Sequence, residues 1–311
     1  MSRMCVTLTE RNTGDMLEAV RELPQDVDMA ELRLDHMREL DIRRLCEGRD
    51  RPVIVTNRPS REGGQWEGDE EERLETLREA ARAGAEYVDV ELDSRGALGE
   101  IDGSCGLIVS HHDYEGTPDD LEAIHGTIAA AGADVAKIAV RAADIVDTVP
   151  VLKLLQRHGD DIPTIALSMG EEGLPTRVLA PKFGGFLSFA CPEAGQEAAA
   201  GQLSWKDMLQ LYHFERIGPE TAVYGVAADP VGHSMSPAVH NAAFEACGVN
   251  AVYLPLKVAR PEPFLDAYEG FDLRGLSVTI PHKERMMELM DEVEDLARRL
   301  GAINTVCIRE G

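Results

Sequence analysis

The sequence predicts an α/β protein: a (β/α)8 barrel of the TIM type over residues 1–217, then a smaller α/β unit over residues 222–311. Three observations carry that prediction. Eight short β-branched runs alternate with longer amphipathic stretches through the first two-thirds of the chain, the pattern expected of a parallel sheet closed into a barrel. Several of the helical stretches open on acidic residues and end near a glycine, as helix boundaries do. The stretch Ile217-Gly218-Pro219-Glu220-Thr221 then reads as a linker, and a fresh strand–loop–helix pattern follows it. A doubly wound open sheet is the competing arrangement of the same alternation.

The barrel strands are expected at 4–8 (MCVTL), 30–34 (AELRL), 52–57 (PVIVTN), 87–92 (YVDVEL), 106–110 (GLIVS), 135–140 (VAKIAV), 163–168 (PTIALS) and 186–189 (FLSF). Between them, 69–85, 119–133 and 144–159 carry apolar residues at helical spacing. Residues 203–217 (LSWKDMLQLYHFERI) read as an amphipathic helix closing the barrel. In the second unit, SPAVHNAAFEACG reads as a helix, and AVYLPLKV and LRGLSVTIP read as strands.

Composition narrows the function. With 44% hydrophobic and 28% charged residues the chain is ordinary globular material. A net charge of −25 argues against a nucleic-acid surface, which needs clustered Lys and Arg. An anionic substrate must then be captured by local arginines against an unfavourable mean field. No apolar run approaches the roughly 20 residues of a membrane span, and the N-terminus has no secretory h-region, so the expected location is cytoplasmic. The six scattered cysteines form no C-x-x-C pair and are expected as buried, reduced thiols rather than disulfides or a zinc site. No metal is expected. The expected partner is a small molecule, with neither nucleic acid nor membrane, and a homodimer is left open.

Chemistry in such a barrel gathers at the C-terminal strand ends. Lys137 is one of six lysines and sits inside the apolar run VAKIAV. Facing a barrel interior it would lose hydration and become nucleophilic, as Schiff-base formation with a ketone requires; the alternative is an edge or snorkelling lysine. His111-His112-Asp113 follows the fifth strand, where one histidine can serve as acid and base. Surface histidines or a metal pair are the alternatives, although neighbours on an extended segment point apart. Glu31 and Arg33 share one strand face, Arg58 ends the third strand before Glu62-Gly63-Gly64, Arg177 follows the seventh strand, and Gln202 follows the eighth. Three arginines and a lysine at one end of a barrel make an anion site.

These residues carry a resemblance. E-L-R-x-D at 31–35, T-x-R-x-x-x-E-G-G at 56–64, S-x-H-D at 110–113, G-A-D-x-x-K-I-A at 132–139, S-M-G…R at 168–177 and G-Q at 201–202 together resemble type I 3-dehydroquinate dehydratase, over residues 1 to about 215. The resemblance implies that Lys137 forms an imine with the C3 ketone of 3-dehydroquinate in the shikimate pathway. It implies that His112 removes the C2 proton and protonates the departing C1 hydroxyl, with Glu62 orienting the imidazole. It further implies ring-hydroxyl contacts from Glu31, Arg33 and Arg58, a carboxylate contact from Arg177 and a lid carrying Gln202. Thr7 stands where the family often has Ser. The lid departs from the usual Ser-Ala-Pro-Gly-Gln by reading Ala198-Ala199-Ala200-Gly201-Gln202, which implies weaker substrate binding rather than lost chemistry.

Asp229-Pro230-Val231-Gly232-His233-Ser234-Met235-Ser236-Pro237, SVTIPHKE at 277–284 and GAINTV at 301–306 resemble the substrate-binding half of shikimate dehydrogenase. That likeness implies substrate contacts from Ser234, Ser236, Thr279 and Asn304, with Lys283 as acid/base; Ala228 replaces a usual glycine. No two glycines stand two residues apart, so the G-x-G-x-x-G turn for a nicotinamide cofactor is missing. NADP is expected only if a further domain supplies its site, and shikimate dehydrogenase activity is not expected from this chain alone. Two rival readings stand beside this one: another Schiff-base barrel such as a class I aldolase, and a non-catalytic sensor of quinate-pathway metabolites.

Overall fold

The computed structural model describes residues 2–101, 104–159 and 161–309; the expected domain limits at residues 1 and 311 lie outside them. Eight strands curl into a barrel: β1 (Arg3–Leu8), β2 (Met29–Arg33), β3 (Val53–Thr56), β4 (Tyr87–Glu91), β5 (Gly106–Asp113), β6 (Val135–Arg141), β7 (Thr164–Met169) and β8 (Leu187–Cys191). Each pairs in parallel with its neighbour from β8 through β1 to β7, and a two-residue β9 (Leu203–Ser204) adds to β8. The ring is completed where Phe186 N–H donates to Thr164 O, 2.8 Å, at the feet of β8 and β7.

Helices α1 (Thr13–Glu22), α2 (Ile42–Glu47), α3 (Glu70–Arg82), α4 (Arg95–Leu98), α5 (Leu121–Ala130), α6 (Thr148–His158) and α7 (Leu174–Val178) join the strands. Their starts follow from capping chemistry. Asn12, Asp41 and Asp69 accept backbone N–H groups at the heads of α1, α2 and α3, and Asp144 with Asp147 forms a capping box just before α6.

The strand period decides what faces inward. Low in the barrel, Met29, Ile54, Ile108, Val135, Ile165 and Leu187 form an apolar plug. Toward the C-terminal ends the same faces turn polar, with Glu31, Asp89, Ser110 and Lys137 all buried. The outward faces carry a second, larger core against the helices.

The second unit is a four-stranded sheet in the order β11-β10-β12-β13, formed by β10 (Ala222–Ala228), β11 (Ala251–Lys257), β12 (Leu273–Val278) and β13 (Thr305–Cys307). Helices α8 (Ser236–Cys247), α9 (Pro261–Ala267), α10 (Lys283–Glu288) and α11 (Asp295–Leu300) accompany it. It docks on the barrel through the Thr148 and Tyr268 hydroxyls at 2.7 Å, the Phe183 and Phe271 rings and the Lys182–Asp272 ion pair.

Two expectations need correction. The closing helix over 203–217 is broken: after β9 comes a π-helical turn, Asp207–Leu211, and a 3-10 turn, Phe214–Arg216. Ser204 Oγ caps the Asp207 N–H, Tyr212 N–H reaches back to Asp207 O, and His213 at φ 50° ends the run. The apolar spacing was real, since Met208, Tyr212, Phe214 and Ile217 are buried, but it sits on two short turns. All six cysteines are free, yet Cys247 and Cys307 are exposed rather than buried. Among the described residues, no helix is long and apolar enough to cross a membrane, and no cluster of His, Cys, Asp or Glu is arranged to hold a metal ion.

Candidate active site

Lys137 stands at the middle of β6 on the inward face, 5% exposed. Its surroundings are not the apolar ones the strand pattern suggested. The ammonium lies 2.7 Å from Asp89 Oδ2 and 3.5 Å from Glu31 Oε1, and 4.4 Å from the centre of the Phe189 ring. The two carboxylates and the ring together fix the position of Nζ in the cavity wall.

Asp89 is the hub. It takes Lys137 on one oxygen and, on the other, Arg58 Nη2 at 2.8 Å and Ser110 Oγ at 2.7 Å. Burial pushes its carboxyl up, but the Arg58 and Lys137 charges together hold it well below the usual carboxylate range. Arg58 also donates to Glu91 at 2.6 Å and to Ser110 at 2.8 Å, and Arg73 from α3 pairs with Glu91 at 2.7 Å. Glu31 accepts from Thr7 Oγ1 (2.8 Å) and Thr56 Oγ1 (2.9 Å); burial raises its pKa, yet the Lys137 and Arg33 charges carry it to the low side. Arg33 is committed to Asp35 through two bonds of 2.9 and 2.7 Å.

His112 faces inward near the end of β5 while His111 points outward, as alternation requires. Its Nδ1 lies 2.8 Å from Glu62 Oε2, which leaves Nε2 for the cavity. Burial, then the nearby Arg58 and Lys137 charges, push the imidazole well below its ordinary pKa, so it is neutral. Burial raises Glu62 to about 7 against the opposing pull of Arg58. Tyr114 donates its hydroxyl to Glu62 O at 3.0 Å. A Cβ on Gly63 would fall 2.1 Å from that hydroxyl, and Gly63 sits at φ +74°, which is why the loop after Glu62 needs glycine.

Arg177, on α7, is 1% exposed. Burial lowers its guanidinium to about 10, still protonated at neutral pH. Its Nη2 donates to the Ala200 carbonyl at 3.3 Å; Nε and Nη1 are buried without a partner. Every buried Asp, Glu, Lys and Arg among the described residues lies in this upper half of the barrel, and five cations face four carboxylates. Arg177 is the cation left without an anion, a costly arrangement unless a ligand completes it.

Thr7, Glu31, Arg33, Arg58, Glu62, His112, Lys137, Arg177 and Gln202 all line one cavity of about 500 Å³ including its open mouth. Gln202 bridges the lid to the floor by accepting from Ala198 N–H (2.8 Å) and donating to Thr7 Oγ1 (3.4 Å). Ala198 and Ala199 form part of the rim. Asp89, Glu91, Asp35, Arg73 and Tyr114 were not anticipated. A signal existed for Asp89 and Glu91, which alternate on the inward face of β4 just as Glu31 and Arg33 do on β2.

In the second unit, Ser234 precedes α8 and Ser236 opens it, with Ser236 N–H donating to Ser234 Oγ at 3.3 Å. Backbone bonds from Thr279 N–H to Ala227 O, Val278 N–H to Asn304 O and Ile303 N–H to Lys283 O gather Thr279, Lys283 and Asn304 at the C-terminal end of the sheet. The turn after β10 contains a single glycine, Gly232, so the residues present do not fit a dinucleotide pyrophosphate.

Comparison with known proteins matches a different family to each unit. The profile of the family described as Type I 3-dehydroquinase matches residues 4–219, and that of the Shikimate dehydrogenase substrate binding domain matches residues 226–306. The chloroplastic bifunctional 3-dehydroquinate dehydratase/shikimate dehydrogenase of Arabidopsis thaliana is 42% identical over 294 residues, covering 91% of this chain and 48% of the plant protein. The 3-dehydroquinate dehydratase of Methanothermobacter thermautotrophicus is 38% identical over 210 residues, covering 65% of this chain and 92% of its own. Among solved structures, the dehydroquinate dehydratase and shikimate dehydrogenase of S. pombe AroM superposes with a TM-score of 0.59 at 27% identity, covering 100% of this chain and 63% of that one. The chain thus spans about half the length of the plant relative.

Proposed function

Since the chain belongs to the type I 3-dehydroquinase family, we propose that it converts 3-dehydroquinate to 3-dehydroshikimate and water through a Schiff base on Lys137. The observation that carries this reading is one cavity that sets a lysine amine, a neutral imidazole and a guanidinium with no anion beside it around the same space. Each answers one demand of the substrate: a ketone to be activated, a proton to be moved and a carboxylate to be held.

In the proposed sequence, Lys137 Nζ, its proton released to solvent, attacks the C3 carbonyl, and loss of water leaves an iminium. That cation draws electrons from the adjacent carbon. His112 Nε2 takes the C2 proton, giving an enamine, and returns it to the C1 hydroxyl, which departs as water. Hydrolysis of the remaining iminium frees the product ketone and restores the amine. Glu62, bonded to Nδ1, sets which imidazole nitrogen is free to act. Arg177 meets the carboxylate, and its burial makes that contact strong because water does not compete. Arg33, Arg58 and Glu31 are already bonded to protein partners, so they would meet ring hydroxyls with their remaining lone pairs and N–H groups. The second unit would hold a shikimate-type ligand at Ser234, Ser236, Thr279, Lys283 and Asn304; no hydride step is assigned to it.

Intact-mass measurement after incubation with 3-dehydroquinate and sodium borohydride tests the central step. A reduced ligand adduct on wild type and none on Lys137→Ala is the expected result. Absence of an adduct on wild type would remove the imine mechanism and favour a protein that binds the metabolite without turning it over.

A further inference from the structure

The turn that follows β7 meets both the lid of the barrel site and the second unit. After β7 the chain makes a tight turn, Gly170-Glu171-Glu172-Gly173, before α7 carries Arg177 into the cavity. Gly173 N–H closes the turn on Gly170 O at 3.2 Å. The lid rests on this turn: Gly170 N–H donates to the Ala200 carbonyl at 3.1 Å, the same carbonyl that receives Arg177 Nη2. Packing is close, since a Cβ on Gly201 would lie 2.2 Å from Gly170 O. The two glutamate side chains do not end in solvent. Lys257, the last residue of β11 in the second unit, places its Nζ 2.8 Å from Glu171 Oε2 and 2.8 Å from Glu172 Oε1.

We infer that Lys257 is a positioning residue for the barrel's lid: its double ion pair fixes the turn at Glu171-Glu172 on which the lid and Arg177 both depend. The inference rests on the dehydratase reading for its kinetic consequence but not for its structural one. A single ammonium shared between two adjacent carboxylates ties the tip of the turn to the end of β11 at two points. The anchor is effective because Lys257 stands on a sheet already seated against the barrel by the Thr148–Tyr268 and Phe183–Phe271 contacts. A pair of this exposure adds little to global stability, so its effect should appear in lid order and substrate capture rather than in unfolding. The second unit therefore contributes to the first site by holding its lid.

The test compares the full chain with Lys257→Met and with the triple variant Lys257→Met/Glu171→Gln/Glu172→Gln. The triple variant leaves the anchor broken but removes the stray negative charge at the cavity mouth. In Lys257→Met, the KM for 3-dehydroquinate is expected to rise about fivefold, as for loss of a partly exposed ion-pair cluster, with kcat within about twofold. The triple variant should keep the raised KM. Amide exchange over 168–178 and 196–204 should quicken in both variants. An unchanged KM together with unchanged exchange in Lys257→Met overturns the inference. So does a return to wild-type KM in the triple variant, because the effect would then be charge at the mouth and not position. Should wild type prove inactive on 3-dehydroquinate, the dehydratase reading fails while the exchange measurement still decides whether Lys257 orders the lid.

Discussion

Glu62 and His112 are displaced from their ordinary pKa values in opposite directions, and both displacements favour the uncharged pair. With Glu62 protonated it donates to Nδ1, and Nε2 carries the imidazole proton. With Glu62 ionised, Nδ1–H donates to the carboxylate and Nε2 becomes the base. Since burial sets Glu62 at about 7, the basic form of Nε2 grows as pH rises through 7, and kcat/KM in wild type should climb over that range. Glu62→Gln should lose this limb and about tenfold or more in kcat; a limb that persists near 7 in the variant would assign it elsewhere. Stability follows from the same shift. A carboxyl whose folded pKa lies above its unfolded value of about 4.3 gives stability present below 4.3 and lost as pH rises through 7. Glu62→Gln, which cannot ionise, should therefore be more stable than wild type at pH 8 by about 1–2 kcal/mol after allowance for solvent screening, with little difference near pH 4. Thermal melts at the two pH values read this directly.

At the scale of the element, the lid shows what a sequence can and cannot disclose. Gly201 sits at φ +78° against the Gly170 carbonyl; Gly201→Ala would combine a left-handed backbone with an overlap against a main-chain atom that cannot step aside. KM should rise at least tenfold, a cost typical of lost positioning contacts, while far-ultraviolet circular dichroism stays unchanged; an unaltered KM would show that the lid does not need this approach. The same lid has Ala198 on the cavity rim, where the family resemblance implies a serine, and Ala198→Ser should lower KM by up to about fivefold, as one added hydrogen bond would. The barrel strands and the placement of Lys137 and His112 were legible, because period-two alternation settles which side chains face inward. Asp89 and Glu91 obey that rule equally, but in so acidic a chain they pass for solvated surface. Arg73 lies on α3 among Glu70, Glu71 and Glu72, and nothing local marks it as fully buried. The broken helix over 203–217 escaped for another reason. Apolar spacing reports which residues are buried, and it does not report that Ser204 and His213 interrupt the hydrogen-bond ladder.

The whole molecule carries a net charge of −25 around a cavity whose buried cations outnumber its carboxylates. Those two facts act at different ranges and respond differently to salt. Surface charges interact across water and are screened over roughly 10 Å at about 0.1 M. Arg177, buried and shielded from ions, is screened far less. Raising ionic strength should therefore weaken the long-range repulsion that the acidic surface exerts on an anionic substrate while sparing the contact that holds it. It should also relieve self-repulsion within the folded chain. The expected outcome is a kcat/KM for 3-dehydroquinate that increases with sodium chloride from about 0.02 to about 0.2 M and then levels as the Debye length falls to about 7 Å. The melting temperature should rise by several degrees over the same interval. Screening depends on ionic strength and not on which monovalent salt supplies it. Sodium perchlorate, which weakens burial at high concentration, should thus match sodium chloride below about 0.2 M and part from it only above. A kcat/KM that falls steadily with either salt would mean that exposed basic groups, and not buried Arg177, provide the attraction.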